Sequence, residues 1–184
     1  MSGYFRYTAM SRGRSLRPLR PLAWLIATCD IAAAVSLVGL VVVMVSVVAA
    51  QVVLRYVFNS SIDWADELSR LCFVWSIFLA IPLGFKSGSH IGIQMLASRL
   101  PQPLRTVVAR AMAATGACVL LLVAWESAVI AWEQWDELLS SMPASAAWFV
   151  VPLTVAGVHG SLHLLWQVLT GAAYSDPERA PEPG

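Results

Sequence analysis

Hydrophobic positions along the chain gather into four long segments that short polar connectors separate. We place the segments at residues 22–54, 62–85, 107–132 and 144–170. Apolar runs of about 20 residues cross the ~30 Å hydrocarbon core of a bilayer as helices. The pattern therefore predicts an all-α membrane protein with four transmembrane helices.

Charged residues and prolines add detail to three of these helices. The first segment is interrupted only by Asp30 and is long enough for a helix of roughly 50 Å, so it must tilt or protrude and we expect Asp30 near the cytoplasmic edge. In the second, Asp63 suits the N-cap, and Asp66 and Glu67 suit the positive end of the helix dipole. We expect Pro152 to kink the fourth helix about two turns inside it.

Composition excludes a water-soluble domain. The 184 residues are 58% hydrophobic and 12% charged, with a mean hydropathy of +0.70, whereas soluble domains carry about 25% charged residues. The three cysteines lie in separate apolar runs and share no metal-ligand spacing, so we interpret them as small hydrophobic residues.

Basic residues predict the orientation, because short cytoplasmic loops are enriched in Lys and Arg. Residues 1–21 hold five arginines and no acid, and the 86–110 connector holds four basic residues and no acid. The 55–70 and 126–137 connectors are net acidic. Both termini are therefore expected in the cytoplasm, with 1–21 a basic lead and uncleaved signal-anchor, 22–170 the membrane domain and 171–184 a disordered, proline-rich tail.

The connector HIGIQMLASRLPQPLR between the second and third helices has an amphipathic pattern. Ile91, Met95 and Leu96 share one helical face, and Pro101 and Pro103 end any helix that precedes them. We expect a short amphipathic helix at the cytoplasmic surface of the bilayer. A tight loop with incidental periodicity is the alternative.

Candidate chemistry is sparse. No serine, cysteine or lysine stands with a histidine and an acid in the pattern of an activated nucleophile, and no phosphate-binding loop is present, so no catalytic residue is predicted. His159 and His163 are four residues apart and share a helix face. They are either an edge of a metal or haem site or hydrogen-bonded packing residues.

Glu126 is an acid within an apolar run, which makes it a functional candidate because an unpaired charge inside a membrane is costly. It either pairs with Arg55 or Arg70 or reaches the outer surface of the membrane.

The stretch RYVFNSSIDWADELSR, residues 55–70, holds five charges in sixteen positions. Arg70 stands four residues after Asp66 and three after Glu67, so a local ion pair on the helix is available. We expect these charges to hold the ends of helices one and two together, or against another protein.

Residues 55–101 resemble the small membrane subunit of tripartite ATP-independent periplasmic (TRAP) transporters, the DctQ-type family. The resemblance lies in four motifs: Arg55-Tyr56, Trp64-Ala65-Asp66-Glu67-Leu68, Ser89-His90-Ile91 and Leu100-Pro101. It continues weakly into the fourth segment and covers about residues 43–169. The third segment matches only in hydropathy, so the resemblance gives Glu126 no role.

The resemblance implies a scaffold for a large multi-helix permease subunit in the bacterial inner membrane. A periplasmic binding protein would deliver an organic acid or similar solute, and a sodium gradient would drive uptake. No catalytic, solute-binding, cofactor or metal residue, and no nucleic-acid partner, is implied. The residues expected at the subunit interface or in the structural motif are Arg55, Tyr56, Trp64, Glu67, Arg70, His90 and Pro101.

Two other functions compete with this one. A haem- or quinone-bearing membrane anchor of an oxidoreductase would use His159 and His163. A small multidrug-type exporter would need a carboxylate midway along helix one, and the only acid in that helix is Asp30, which we expect at its inner end.

Overall fold

The structure, a computed structural model, describes residues 20–86 and 101–170. They form four α-helices, which we number α1 Arg20–Val57, α2 Ala65–Lys86, α3 Gln102–Glu133 and α4 Val151–Thr170. Each helix lies in a stretch that is long and apolar enough to cross a membrane. The predicted all-α fold with four spans is confirmed.

The helices lie side by side in the order α1, α2, α4, α3. Extensive contacts join α1 to α2, α2 to α4 and α4 to α3, whereas α1 meets α4 only lightly. Between the described parts of α1 and α3 there is no contact. The bundle is therefore an open row, with α2 and α4 inside and the two longest helices at the edges.

The two inner helices are more buried than the two edge helices. In the most apolar 18-residue stretch of each span, 6% of the residues are buried for α1 and 39% for the span that contains α4. The helix contacts use small side chains, and the buried apolar residues include Ala33, Ala65, Ala117, Ala124 and Ala156. Small residues allow helices in a membrane to approach closely.

The fourth segment differs from its prediction. Residues Ala146–Phe149 form a 3₁₀ helix, and α4 begins only at Val151. Pro152 therefore lies in the first turn of α4, where a backbone N–H has no intrahelical acceptor and proline is tolerated. The expectation of a kink two turns inside the helix is wrong.

Other predicted features lie outside the described residues. These are most of the basic lead, the interfacial helix between the second and third spans, and the tail from 171 to 184. Pro101 is described, and it precedes α3 in an extended conformation with φ −60° and ψ 146°.

Candidate functional site

The 55–70 stretch forms the junction between α1 and α2. The backbone N–H groups of Phe58 and Ser60 both donate to the carbonyl of Leu54, each at 3.1 Å. Asn59 between them has a positive φ of 49°, a conformation that asparagine tolerates better than most residues. These bonds satisfy a carbonyl at the end of α1 and turn the chain toward α2.

Glu67, in the first turn of α2, binds the connector between α3 and α4. Its Oε1 accepts hydrogen bonds from the Ser140 N–H at 3.1 Å and the Ser140 hydroxyl at 2.7 Å. Its Oε2 accepts from the Ser141 N–H at 3.0 Å. The residue is only 8% exposed. One buried carboxylate thus holds two consecutive residues of a distant connector by charge-assisted hydrogen bonds.

The 134–145 connector has its own hydrogen bonds, which give it a defined shape. The Leu139 N–H donates to the Ala144 carbonyl at 2.9 Å, and the Ala146 N–H to the Glu137 carbonyl at 2.8 Å. The Ser145 hydroxyl donates to the Gln134 carbonyl at 3.2 Å and accepts from the Ala147 N–H at 3.1 Å. The connector therefore presents Ser140 and Ser141 to Glu67 from a closed turn.

Within the described residues Arg70 pairs with neither Asp66 nor Glu67, and the Glu67 carboxylate binds the connector instead. Among residues 20–86 and 101–170, neither Arg55 nor Arg70 makes an ion pair. Asp63 lies in the turn before α2 and makes no capping hydrogen bond there, so its proposed N-cap role is wrong. The charges of this stretch thus act mainly through Glu67.

The other predicted site residues are dispersed. Tyr56 is 81% and Trp64 44% exposed, and Arg55 and Arg70 are also exposed. His90 lies outside the described residues. Glu126 is exposed on α3, and in the described ranges it forms no ion pair with either arginine.

A second polar cluster, between α1 and α4, joins Asp30 to both histidines of the fourth span. The Nε2 atoms of His159 and His163 lie 3.0 and 2.8 Å from the same Asp30 oxygen, Oδ1. The side chains of Asp30, His159 and His163 are 3%, 7% and 11% exposed. An ionised Asp30 would accept a hydrogen bond from each ring, because a carboxylate without a proton only accepts.

Asp30 lies about 15 Å along α1 from its first residue, and His159 lies about 12 Å from the start of α4, a helix of about 30 Å. The two histidines are thus near the middle of α4, and the position of Asp30 near the cytoplasmic edge stays a prediction. The helical spacing of the histidines indicated a shared face, but nothing in the sequence paired that face with Asp30.

The histidine geometry gives the haem alternative no support. Both Nε2 atoms, the usual ligand atoms of an imidazole, converge on one carboxylate oxygen. With Asp30, the two histidines form a polar unit that joins α1 to α4.

The fold and these two clusters define a multi-pass membrane protein, and comparison with known sequences gives its family. Residues 44–173 match the family model described as "Tripartite ATP-independent periplasmic transporters, DctQ component". The chain belongs to this family of transporter components, and with its four apolar helices it is a multi-pass protein of the inner membrane.

Individual relatives agree. A putative TRAP transporter small permease protein of Haemophilus influenzae is 36% identical over 80 residues, 44% of this chain and 47% of that protein. The C4-dicarboxylate TRAP transporter small permease protein DctQ of Vibrio cholerae is 30% identical over 104 residues, 54% of this chain and 40% of that protein. The matched stretches thus span less than half the length of these relatives.

Proposed function

We propose that this chain is the small permease subunit of a TRAP-type secondary transporter. The observation that carries the proposal is the match of residues 44–173 to the DctQ component family in a chain with four membrane helices. The chain would act as a scaffold and not as an enzyme. Uptake of an organic acid or similar solute would be coupled to sodium, and a periplasmic binding protein would deliver the solute.

A large permease partner is the second part of the proposal. The sialic acid TRAP transporter permease protein SiaT of Haemophilus influenzae matches 66 residues of this chain at 30% identity, and these are only 11% of SiaT. A related segment therefore occurs within a much longer permease polypeptide. This arrangement supports a separate large permease as the neighbour of the present chain.

The open row of helices suits a scaffold. Two long helices at its edges leave apolar side chains unburied, such as Val35 at 68%, Val38 at 61% and Leu122 at 64% exposure. Lipid and a permease subunit can both cover such surfaces. We assign the exposed motif residues Tyr56 and Trp64 to the contact with the large subunit.

The test is affinity purification of the tagged full-length chain from native membranes in a mild detergent. We expect a much larger polytopic membrane protein to co-purify in a fixed ratio, and deletion of this chain to abolish uptake of the cognate solute. Purification of the chain without such a partner, with uptake intact in the deletion strain, would overturn the proposal.

The contact assignment has its own matched variants. The double variant Tyr56→Ala/Trp64→Ala should recover markedly less partner than wild type. The control Trp125→Ala/Trp132→Ala removes two aromatic residues that are 69% and 82% exposed on α3, and it should recover the partner normally. Equal recovery with both double variants would show that the motif is not the contact.

A further inference from the structure

We propose that Asp30, His159 and His163 form a binding site for a divalent transition metal ion, with zinc as the representative ion. The inference is independent of the proposed transport function. Within the described residues, these three side chains are the group whose metal-ligating atoms converge, all lying within 4.8 Å of one another.

The donor set matches the chemistry of such ions. Zinc binds histidine nitrogen and carboxylate oxygen at about 2.0–2.2 Å, and sites with three protein ligands leave a fourth position for water. An ion bonded at these lengths fits among three atoms separated by 4.8 Å or less. Two histidines with one carboxylate supply a mixed nitrogen and oxygen site, which favours zinc and its neighbours over calcium or magnesium.

The helices already orient the ligands. His159 and His163 are one helical turn apart on α4, and both direct Nε2 at the same point. Asp30 approaches that point from α1. When an ion binds, each neutral imidazole would carry its proton on Nδ1, so that the Nε2 lone pair is free to bind the metal. The ligand atoms need to separate only slightly from their 2.8 and 3.0 Å contacts.

The surroundings favour a cation. Asp30 lies within a span long and apolar enough to cross a membrane, where a carboxylate is costly unless its charge is compensated, and a divalent ion bound here would compensate it. The side chain of His163 is 11% exposed. His159 also lines a groove of about 730 Å³ between α1, α2 and α4. The cluster is therefore buried without being sealed.

A metal ion would also join two helices that otherwise touch lightly. Contacts between α1 and α4 are few, and the Asp30 cluster is a polar link between them. Metal binding to a folded site stabilises the fold by mass action, so zinc should raise the melting temperature of the bundle.

The experiment uses the full-length chain, purified in mild detergent with an affinity tag that contains no histidine, and stripped of metal with a chelator. Zn²⁺ and Co²⁺ are then titrated separately. We expect one equivalent to bind, with the visible absorption of four- or five-coordinate Co²⁺ and a higher melting temperature with Zn²⁺. Loss of a group that only supports a metal ligand weakens binding by up to about 100-fold. Loss of a ligand itself should therefore weaken metal binding by at least about 100-fold.

Three variants make the result specific. His163→Gln keeps a hydrogen-bond donor for Asp30, so the helices can stay linked while a ligand is removed; it should fold and lose the metal. Two control variants should bind metal like wild type. His90→Gln replaces a histidine that is not part of the cluster, and Cys29→Ser replaces the residue before Asp30.

Two results would overturn the site. Wild type that binds no metal would show that the cluster serves only as a hydrogen-bonded link. Equal binding by wild type and His163→Gln would place the metal elsewhere. Intrinsic tryptophan fluorescence and a monodisperse elution profile confirm that each variant is folded.

Discussion

A single carboxylate, that of Glu67, accepts three hydrogen bonds from Ser140 and Ser141. Hydrogen bonds to an ionised acceptor are about twice as strong as those between neutral groups. Each oxygen has a defined task, since Oε1 serves both groups of Ser140 and Oε2 serves the N–H of Ser141. The arrangement needs a side chain with two oxygens that both accept hydrogen bonds, and the carboxylate of Glu67 provides them.

Replacement of Glu67 by Gln should therefore loosen the connector. The amide can accept at one end only, and its NH₂ group then faces an N–H donor. We expect the amide hydrogens of Ser140 and Ser141 to exchange at least roughly tenfold faster, measured by hydrogen–deuterium exchange in detergent.

The matched control is Asp66→Asn, which makes the same chemical change at the neighbouring exposed acid. Its exchange rates across residues 134–145 should equal those of wild type. If Glu67→Gln also left these rates unchanged, the carboxylate would not hold the connector in solution.

The sequence indicates several of the important residues but not their partners. It offers Arg70 as a partner for Glu67, whereas the actual donors, Ser140 and Ser141, are 73 and 74 positions away. It shows Asp30 as an isolated acid and the histidines as a pair on one helix face, with no local signal that joins them. Local spacing shows which residues share a helix face, whereas the facing helix is set by packing.

At the scale of the elements, α3 and α4 make the closest contact. A Cβ added at Gly157 would lie 2.9 Å from both the Ala124 Cβ and the Leu120 carbonyl oxygen. The hydroxyl groups of Ser127 and Thr154 lie 2.8 Å apart across the same interface. Small residues with an interhelical hydrogen bond are a common basis of helix association in membranes.

Gly157→Ala should separate these two helices, because the added methyl meets backbone atoms that cannot rotate away. Overpacking of this kind costs about 1–3 kcal/mol of unfolding free energy. The measurement is reversible unfolding in mixed detergent micelles.

Gly39→Ala is the control for that variant. A Cβ at Gly39 meets nothing within 4 Å, so the same substitution on α1 should leave the unfolding free energy unchanged or slightly higher. A loss of equal size at both glycines would point to a general effect of the substitution, not to the α3–α4 contact.

The existence of each helix was predictable because long apolar runs leave few alternatives in a membrane. Helix starts were less predictable. The apolar run after Met142 continues through the 3₁₀ helix at Ala146–Phe149, so hydropathy alone gave no sign that α4 begins only at Val151. The proline at position 152 was the available signal, since proline is favoured in the first turn of a helix.

The whole molecule is an open row of helices of unequal length. The 38 residues of α1 extend about 57 Å, and the 20 residues of α4 about 30 Å. Sequence analysis predicted the long first helix but not the order α1, α2, α4, α3. That order depends on which small faces meet, and such faces are not distinguished by hydropathy.

The predicted orientation has a direct test. Green fluorescent protein fused after Gly184 should fluoresce, because that end is expected in the cytoplasm. Alkaline phosphatase fused after Gln134 should be active, because the α3–α4 connector is expected in the periplasm. Inactive phosphatase together with a non-fluorescent terminal fusion would reverse the assignment of the two faces.

The hydrogen bonds between Glu67 and the 134–145 connector also affect the order in which the chain can fold during synthesis. Ribosomes add roughly 5–20 residues per second, so the 73 residues between Glu67 and Ser140 take about 4–15 s to synthesise. For that interval the nascent α1–α2 hairpin carries a carboxylate whose final donors do not yet exist. Water or lipid head groups must solvate it, so the start of α2 can settle only after the third span has emerged.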